Sequence, residues 1–283
     1  VIQPMLLHKA ENNVPIKDNR YFSELKLDGI RLILIKQKDK ILLYTRHQVE
    51  VTSRFPELLA IDIPDNTILD GELVVTDNRG FPDFEWVMKR FQFTNASKIA
   101  KMRSSYPVTF VAFDLLKYEN RWVTDLTLIE RKMLLSHVIP ENNDVLCKVA
   151  YLEEKGPELF DQVQERGLEG IVQKDKHAKY ICNFRSSSWI KVINYQQTEV
   201  YISGYRKDQT GWLLMYENGK EAGLLELGID PKSRAAFYRI ANQNIIVEDH
   251  DFIMINPLKV KVKYRNITSS GKLRLPVFKS FAL

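Results

Sequence analysis

The chain is poor in the residues that build covalent or metal frameworks. It has two cysteines, Cys147 and Cys182, far apart and outside any C-x-x-C pair, and five scattered histidines. That excludes a disulfide scaffold and the common structural zinc patterns, and it fits a reducing cytosol. No apolar run approaches the ~18 residues that a bilayer crossing needs, and the first residues lack a basic, apolar, small-residue leader pattern. Membrane insertion and secretion are not expected; a cytoplasmic location is. Repeats of solenoid period and low-complexity tracts are also absent.

What is present is ordinary globular material in quantity. The 283 residues are 45% hydrophobic and 27% charged, enough for packed cores and, at about 150 residues per domain, for two of them. The 41 basic and 36 acidic residues leave +5, and the excess is uneven. From Gln197 onward there are 13 basic and 9 acidic residues, against a near-neutral remainder. A basic accessory domain beside a larger neutral one is the first expectation.

The first two-thirds alternate strands and helices. Residues rich in β-branched and aromatic side chains predict strands over Tyr21–Leu25, Ile30–Ile35, Ile41–Thr45, Thr67–Val75, Val108–Leu116 and Gly170–Lys174. Helices are predicted over Phe84–Met102, over Leu128–Val138 behind a Thr127/Glu130 capping box, and over Pro157–Arg166 with Gly167 past its end. Beyond residues 195–197 the texture changes to short strands, Glu199–Tyr205, Trp212–Tyr216, Glu221–Gly228 and Val260–Tyr264, with a helix near Ser233–Asn242. That pattern suggests a small closed β-barrel of the OB type over 196–283, after a first domain over 1–195. The fold class expected is α+β.

The sharpest local feature is Glu24-Leu-Lys26-Leu-Asp28-Gly29-Ile-Arg31, between two predicted strands. Asp-Gly reads as a tight turn that would leave Lys26 on a strand end. Taken alone, Lys-x-Asp-Gly is a hairpin with surface charges. Lys, Asp, Gly and Arg at this fixed spacing recur by chance in roughly one in several hundred chains of this length.

Lys26-Leu-Asp28-Gly29-Ile-Arg31 resembles the signature of the covalent nucleotidyltransferases: ATP-dependent DNA ligases, RNA ligases and mRNA capping enzymes. Four further stretches are similar to that family's motifs, in order: Asp70-Gly71-Glu72, Phe110-Val-Ala-Phe113-Asp114-Leu-Leu, Glu169-Gly170-Ile-Val-Gln-Lys174 and Arg185-Ser-Ser-Ser-Trp189-Ile-Lys191. The Pro4-Met5-Leu6 opening and the Phe-Asp-Leu-Leu strand resemble DNA ligases, of the small bacterial or phage kind and of the ligase module of end-joining enzymes. The resemblance implies a nucleotidyltransferase (ATP-grasp-like) domain with antiparallel sheets and helices, followed by the OB-type domain. It implies ATP and Mg²⁺ (Mn²⁺ as the alternative) as cofactors and nicked double-stranded DNA as partner. The protein would act as a monomer, bacterial or phage-encoded, beside repair or replication proteins. An RNA ligase, a capping guanylyltransferase and a nucleic-acid binder with decayed chemistry are the alternatives at this stage.

The resemblance also implies roles. Lys26 is the nucleophile that becomes lysyl–AMP, with Asp28, Arg31 and Lys191 beside it. A lysine of pKa about 10.4 is protonated at neutral pH, and closing the gap of roughly three units costs about 4 kcal/mol unless desolvation and nearby cations favour the neutral amine. Glu24 is the residue next to the adenine amino group, with Leu25 beside it, and Phe113 stacks on the base or packs in the core. Glu72 serves ribose or metal and Glu169 the metal; Mg²⁺ usually takes only one or two protein carboxylates. Arg31 and Arg46 meet ribose and the incoming 5′-phosphate, and Lys191 grips the α-phosphate. Lys174 and Arg185 are nucleotide contacts or solvated surface charges.

Two departures stand out. The family's second lysine, two residues after Lys191, is Ile193 here; either Lys174 or a barrel residue offsets it, or the α-phosphate contact is thinner. The family's C-terminal arginine-x-aspartate-lysine cluster is missing from Arg274-Leu-Pro276-Val-Phe278-Lys279-Ser-Phe281; either the chain is truncated or Arg274 and Lys279 stand in for the cluster. Along Lys259-Val-Lys261-Val-Lys263-Tyr-Arg265, period two separates an apolar face from four basic residues. That strand is either a lysine-guarded edge or, with Arg46 and Arg274, a ribbon tracking the DNA backbone.

Overall fold

A computed structural model of the protein describes residues 2–282. The chain forms two compact units that part between Ile193 and Asn194, slightly before the change of texture in the sequence.

The first unit contains β1 (Leu6–Lys9), β2 (Tyr21–Leu25), β3 (Ile30–Gln37), β4 (Lys40–Thr45), β5 (Thr67–Val74), α1 (Phe84–Gln92), α2 (Ala96–Ser105), β6 (Thr109–Tyr118), β7 (Arg121–Trp122), α3 (Leu128–Val138), β8 (Leu146–Lys148), β9 (Tyr151–Glu153), α4 (Gly156–Glu165), β10 (Gly170–Asp175) and β11 (Arg185–Ile193). They build two sheets. One runs β1-β11-β10-β2-β9, and the other runs β4-β3-β5-β6-β7 with β8 parallel to β6. Strand β3 reads as a continuous apolar run because both of its faces are covered. Leu32 and Leu34 join a core with Phe55, Val87 and Leu135, while Ile33 points the other way to Met5, Leu116, Tyr180 and Trp189. The second cluster lies between the two sheets. The far face of the first sheet is closed by α4, where Phe160 and Val163 pack on Ile171 and Val192.

Strands β2 and β3 belong to different sheets, so Asp28-Gly29 is not the turn of a hairpin. Residues 26–29 carry the chain from one sheet to the other. Lys26 N–H still donates to the Gly170 carbonyl at 2.9 Å, so the lysine leaves the first sheet with its backbone held. Gly29 then passes so close to β5 that a Cβ would sit 2.2 Å from the Leu73 carbonyl oxygen. The sequence signal for a tight turn was a signal for this close crossing.

The helix expected over 84–102 is two. Asn95 accepts from the backbone N–H groups of Ser97 and Lys98 and starts a new helix, and Asp83 caps the first on Trp86. A polar cap inside a helical pattern outweighed its continuity. Helix α3 has the expected bounds, with Glu130 accepting from the Thr127 N–H at 2.7 Å.

The second unit holds β12 (Gln196–Arg206), β13 (Trp212–Met215), β14 (Glu221–Leu225), α5 (Pro231–Ala241), β15 (Ile245–Glu248), β16 (Phe252–Tyr264) and β17 (Val277–Phe281). The antiparallel order is β14-β13-β12-β16-β15, with β17 also on β16. Its core joins Val200, Ile202, Trp212, Leu214, Phe237, Val260 and Val262, and Trp212 lies 4.1 Å from Phe237 between ring centroids. The expected closed barrel is not found among the described residues. Between the segment after β14 and β17 there is one isolated bridge, Leu227 to Val277, rather than a ladder. The reason is local: β14 stops at Leu225, and Gly228 at φ +76° turns the chain toward α5. Strand β16 is also not an edge, because β12 flanks one side and β17 and β15 the other.

Arg131 is the buried tie of the first unit. It donates twice to Asp114, at 2.7 and 2.9 Å, and to the carbonyls of Leu126 and Ala178. Burial alone would raise the Asp114 carboxyl; Arg131, Lys174 and Lys132 outweigh it and hold the group below its usual range. Replacing Arg131 with Met leaves that carboxylate unpaired. The expected loss is about 3–5 kcal/mol, read as a lower urea midpoint; a loss within 0.5 kcal/mol, roughly that of a surface change, would contradict the assignment.

Candidate active site

A pocket open on one side lies between the two sheets of the first unit. Its polar lining is Glu24, Lys26, Arg31, Glu72 and Lys174; Leu25, Phe113, Val172 and Trp189 are among its apolar walls. Each arrives from a strand or strand end, which fixes its direction by register. On β10, Val172 and Lys174 share one face; Val172 pairs with Glu24 on one side and Lys191 on the other, and Lys174 pairs with Trp189. From the facing sheet, Arg31 pairs with Glu72.

Glu24 is 2% exposed, and its carboxylate lies between two ammonium groups, Lys174 at 2.7 Å and Lys132 of α3. Lys132 was not legible in the sequence, where no motif marks it. A lysine i+5 from a capping threonine carries no local mark of a distant carboxylate. Lys174 is no surface residue. Its ammonium lies 4.5 Å from the Phe113 ring and 4.2 Å from the Trp189 ring, and burial pushes its pKa down to about 8 against the pull of Glu24.

Arg31 forms a bidentate pair with Asp70, at 2.9 and 2.5 Å, and the Tyr180 hydroxyl donates to the same carboxylate at 2.7 Å. Its guanidinium lies 5.2 Å from Phe113, so it lines the pocket with part of its donor set already engaged. Burial opposes the charge on Arg31, and Asp70 overcomes it and raises the pKa. Phe113 is half-buried between pocket and core, edge-on to Trp189 at 6.0 Å.

At the mouth, the Lys26 amine lies 2.9 Å from Glu169. Burial pushes Glu72 up to about 7 against the pull of Lys26 and Arg31, with Asp70 and Asp28 adding to the rise. Burial, then Lys26, Lys9, Arg185 and Arg46, depress the Lys191 ammonium. Arg46 and Arg185 are exposed, Arg46 turning its Nε to His47 at 3.0 Å. Ile193, on the face of Trp189 and Lys191, is 3% exposed. No cluster of three or more acidic, histidine or cysteine side chains suited to a metal occurs among the described residues. The pair Glu72 and Glu169 offers hard oxygen donors beside Lys26, which fits an ion that takes its other ligands from phosphate and water.

In the second unit, the period-two reading of β16 corresponds to the observed burial: Val260 and Val262 are fully buried and Lys261 is exposed. Lys259 and Lys261 share Glu199, at 2.7 and 3.6 Å, and Lys263 lies 4.3 Å from the Tyr195 ring. Arg265 N–H donates to the Arg274 carbonyl at 3.1 Å, bringing those two residues together.

The raised Glu72 pKa has a thermodynamic sign. Between the ordinary 4.5 and about 7 the folded state holds a proton that the unfolded chain has lost, so stability falls as pH rises through this window. Glu72→Gln removes the titration. Its stability advantage over the wild type is expected to grow from pH 4.5 to 7 and then level off, read by urea denaturation across pH; an advantage that shrinks over that window contradicts it.

The sequence profile of the ATP dependent DNA ligase domain matches residues 4–192. The SPbeta prophage-derived DNA ligase-like protein LigB of Bacillus subtilis (strain 168) is 39% identical over 280 residues, 99% of this chain and 98% of that protein. The bifunctional non-homologous end joining protein LigD of the same organism is 33% identical over 201 residues, 64% of this chain and 33% of that one. Among solved structures, a mycobacterial DNA ligase D complexed with ATP and MES superposes with a TM-score of 0.62 at 23% identity, covering 99% of this chain and 95% of that one. A structure from an analysis of Lig E DNA ligases gives 0.71 at 20% identity, covering both chains fully. These last two likenesses concern the fold. By the profile match and its LigB relative, this chain belongs to the ATP-dependent DNA ligase family.

Proposed function

We infer that Lys26 carries the adenylate in this ATP-dependent DNA ligase and that the pocket behind it takes the adenosine. The observation that carries this is the amine's place: at the pocket mouth, on a backbone fixed to Gly170, with Glu169 2.9 Å away. In the first step Lys26 Nζ attacks the α-phosphorus of ATP. A P–N bond forms, the bond to the bridging oxygen breaks, and pyrophosphate leaves. The proton leaving the amine has an acceptor in Glu169. In the second step the 5′-phosphate of the nick takes AMP from the lysine, and in the third the 3′-hydroxyl displaces AMP and seals the strand. These are phosphoryl-type transfers, in which positioning and charge neutralisation do most of the work.

The residues take roles by their chemistry. Glu24, held by Lys132 and Lys174, presents an acceptor to the adenine amino group, and Phe113 gives the base an aromatic face. Lys191, with Arg46 and Arg185, meets phosphate. Arg31 orients Asp70 and the pocket wall more than it binds ribose, since Asp70 takes two of its donors. Glu72 and Glu169 would hold Mg²⁺ or Mn²⁺, which when bound supplies positive charge to the phosphate oxygens. The second unit is assigned as an OB-type module of the open kind. Lys259, Lys261, Lys263, Arg265 and Arg274 would track the DNA backbone without reading sequence.

The deciding experiment compares wild type with Lys26→Ala. The variant is expected to form no enzyme–AMP on denaturing electrophoresis and to seal ordinary nicks at background level, while still binding nicked DNA in a salt-dependent way. Covalent AMP on the variant after ATP treatment would overturn the assignment.

A further inference from the structure

Several buried charges of the first unit are paired. Arg31 has Asp70, Arg131 has Asp114, Lys132 and Lys174 have Glu24, Arg90 has Glu57, and Lys26 has Glu169. The cations of one largely exposed group are not. Lys9, Arg185 and Lys191 lie on the paired strands β1 and β11, with Arg46 of the segment after β4 near enough to act on Lys191, and among the described residues none of the four has a carboxylate at ion-pair distance. Arg185 instead turns a guanidinium nitrogen to the Leu7 carbonyl, and Arg46 turns to His47.

Lys9 is the member of this group that no motif marks. Strand β1 runs parallel to β11 with Lys9 opposite Lys191, and the Ala10 N–H donates to the Lys191 carbonyl at 3.0 Å. Residues paired across a ladder project to the same face, so Lys9 stands beside Lys191. Lys191 in turn pairs with the pocket-lining Val172. Lys9 is exposed and free to extend, whereas Ile193, the next residue along that face of β11, is buried and brings no charge. Cations packed together without carboxylates repel one another unless an anion joins them. An anion of several oxygens and more than one negative charge suits four such donors.

We propose that Lys9 is a further phosphate-binding residue of this ligase, forming with Lys191 a two-lysine grip across β1 and β11. The group gripped is a phosphate: that of the nucleoside triphosphate or the 5′-phosphate of the broken strand. The proposal rests on Lys26 as the adenylated residue of the neighbouring pocket.

The test uses the full chain with Lys9→Met and Lys9→Arg, beside Lys26→Ala. Enzyme–AMP formation against ATP concentration reads the triphosphate. Sealing of a pre-adenylylated nick against DNA concentration reads the strand phosphate. Lys9→Met is expected to raise the half-saturating concentration in one arm by roughly 10- to 100-fold, the range for a lost charged contact, with little change in maximal rate and unfolding midpoint. The affected arm identifies the source of the phosphate, and Lys9→Arg restores most of the loss. Unchanged half-saturation in both arms overturns the proposal, and so does a Lys9→Arg variant as defective as Lys9→Met. Enzyme–AMP on Lys26→Ala would instead unseat the nucleophile, a failure read separately from anything Lys9 does.

Discussion

A carboxylate buried between two ammonium groups organises the pocket of this ligase. Glu24 comes from β2, Lys174 from β10 and Lys132 from α3, so one charge cluster ties three elements that are distant in sequence. Burying a lone carboxylate costs several kcal/mol, and two cations offset that only if they stay within hydrogen-bonding reach. The neighbouring Arg131–Asp114 pair continues the same charge system through α3 and β6. The wall against which a base would lie is therefore fixed by electrostatics as much as by apolar contact. Lys174, set against the rings of Phe113 and Trp189, joins the two kinds of force.

Much of this was legible in the sequence because the signals are local. Strand bounds near β2, β3 and β10 follow from runs of β-branched residues, and Lys26, Glu72, Glu169 and Lys191 stand in short motifs. What was not legible depends on pairing between remote segments. Arg131 and Lys132 carry no mark of their partners until α3 packs onto β6. Lys9 has no mark until β1 is laid along β11. The Asp28-Gly29 step was misread because a turn and a crossing between sheets need the same small residue, and composition cannot say which sheet the next strand joins.

The second unit shows the same division. Alternation along β16 revealed which residues face the core, since period two is a property of one strand. Whether the sheet closes depends on the meeting of its two ends, and there Gly228 and the Leu227–Val277 bridge decide. The basic residues of β16 are spread among different neighbours: Lys259 and Lys261 divide one glutamate, while Lys263 leans on an aromatic ring.

The crossing at residues 26–29 also constrains how such a chain can diverge. Surface connections elsewhere tolerate added or lost residues at small cost. This one is confined at both ends, by the Lys26 N–H on the Gly170 carbonyl and by Gly29 against the Leu73 carbonyl. One residue inserted or deleted between Lys26 and Ile30 would have to be absorbed between those two fixed points. Length variation among descendants of this gene should therefore collect everywhere but in that short bridge.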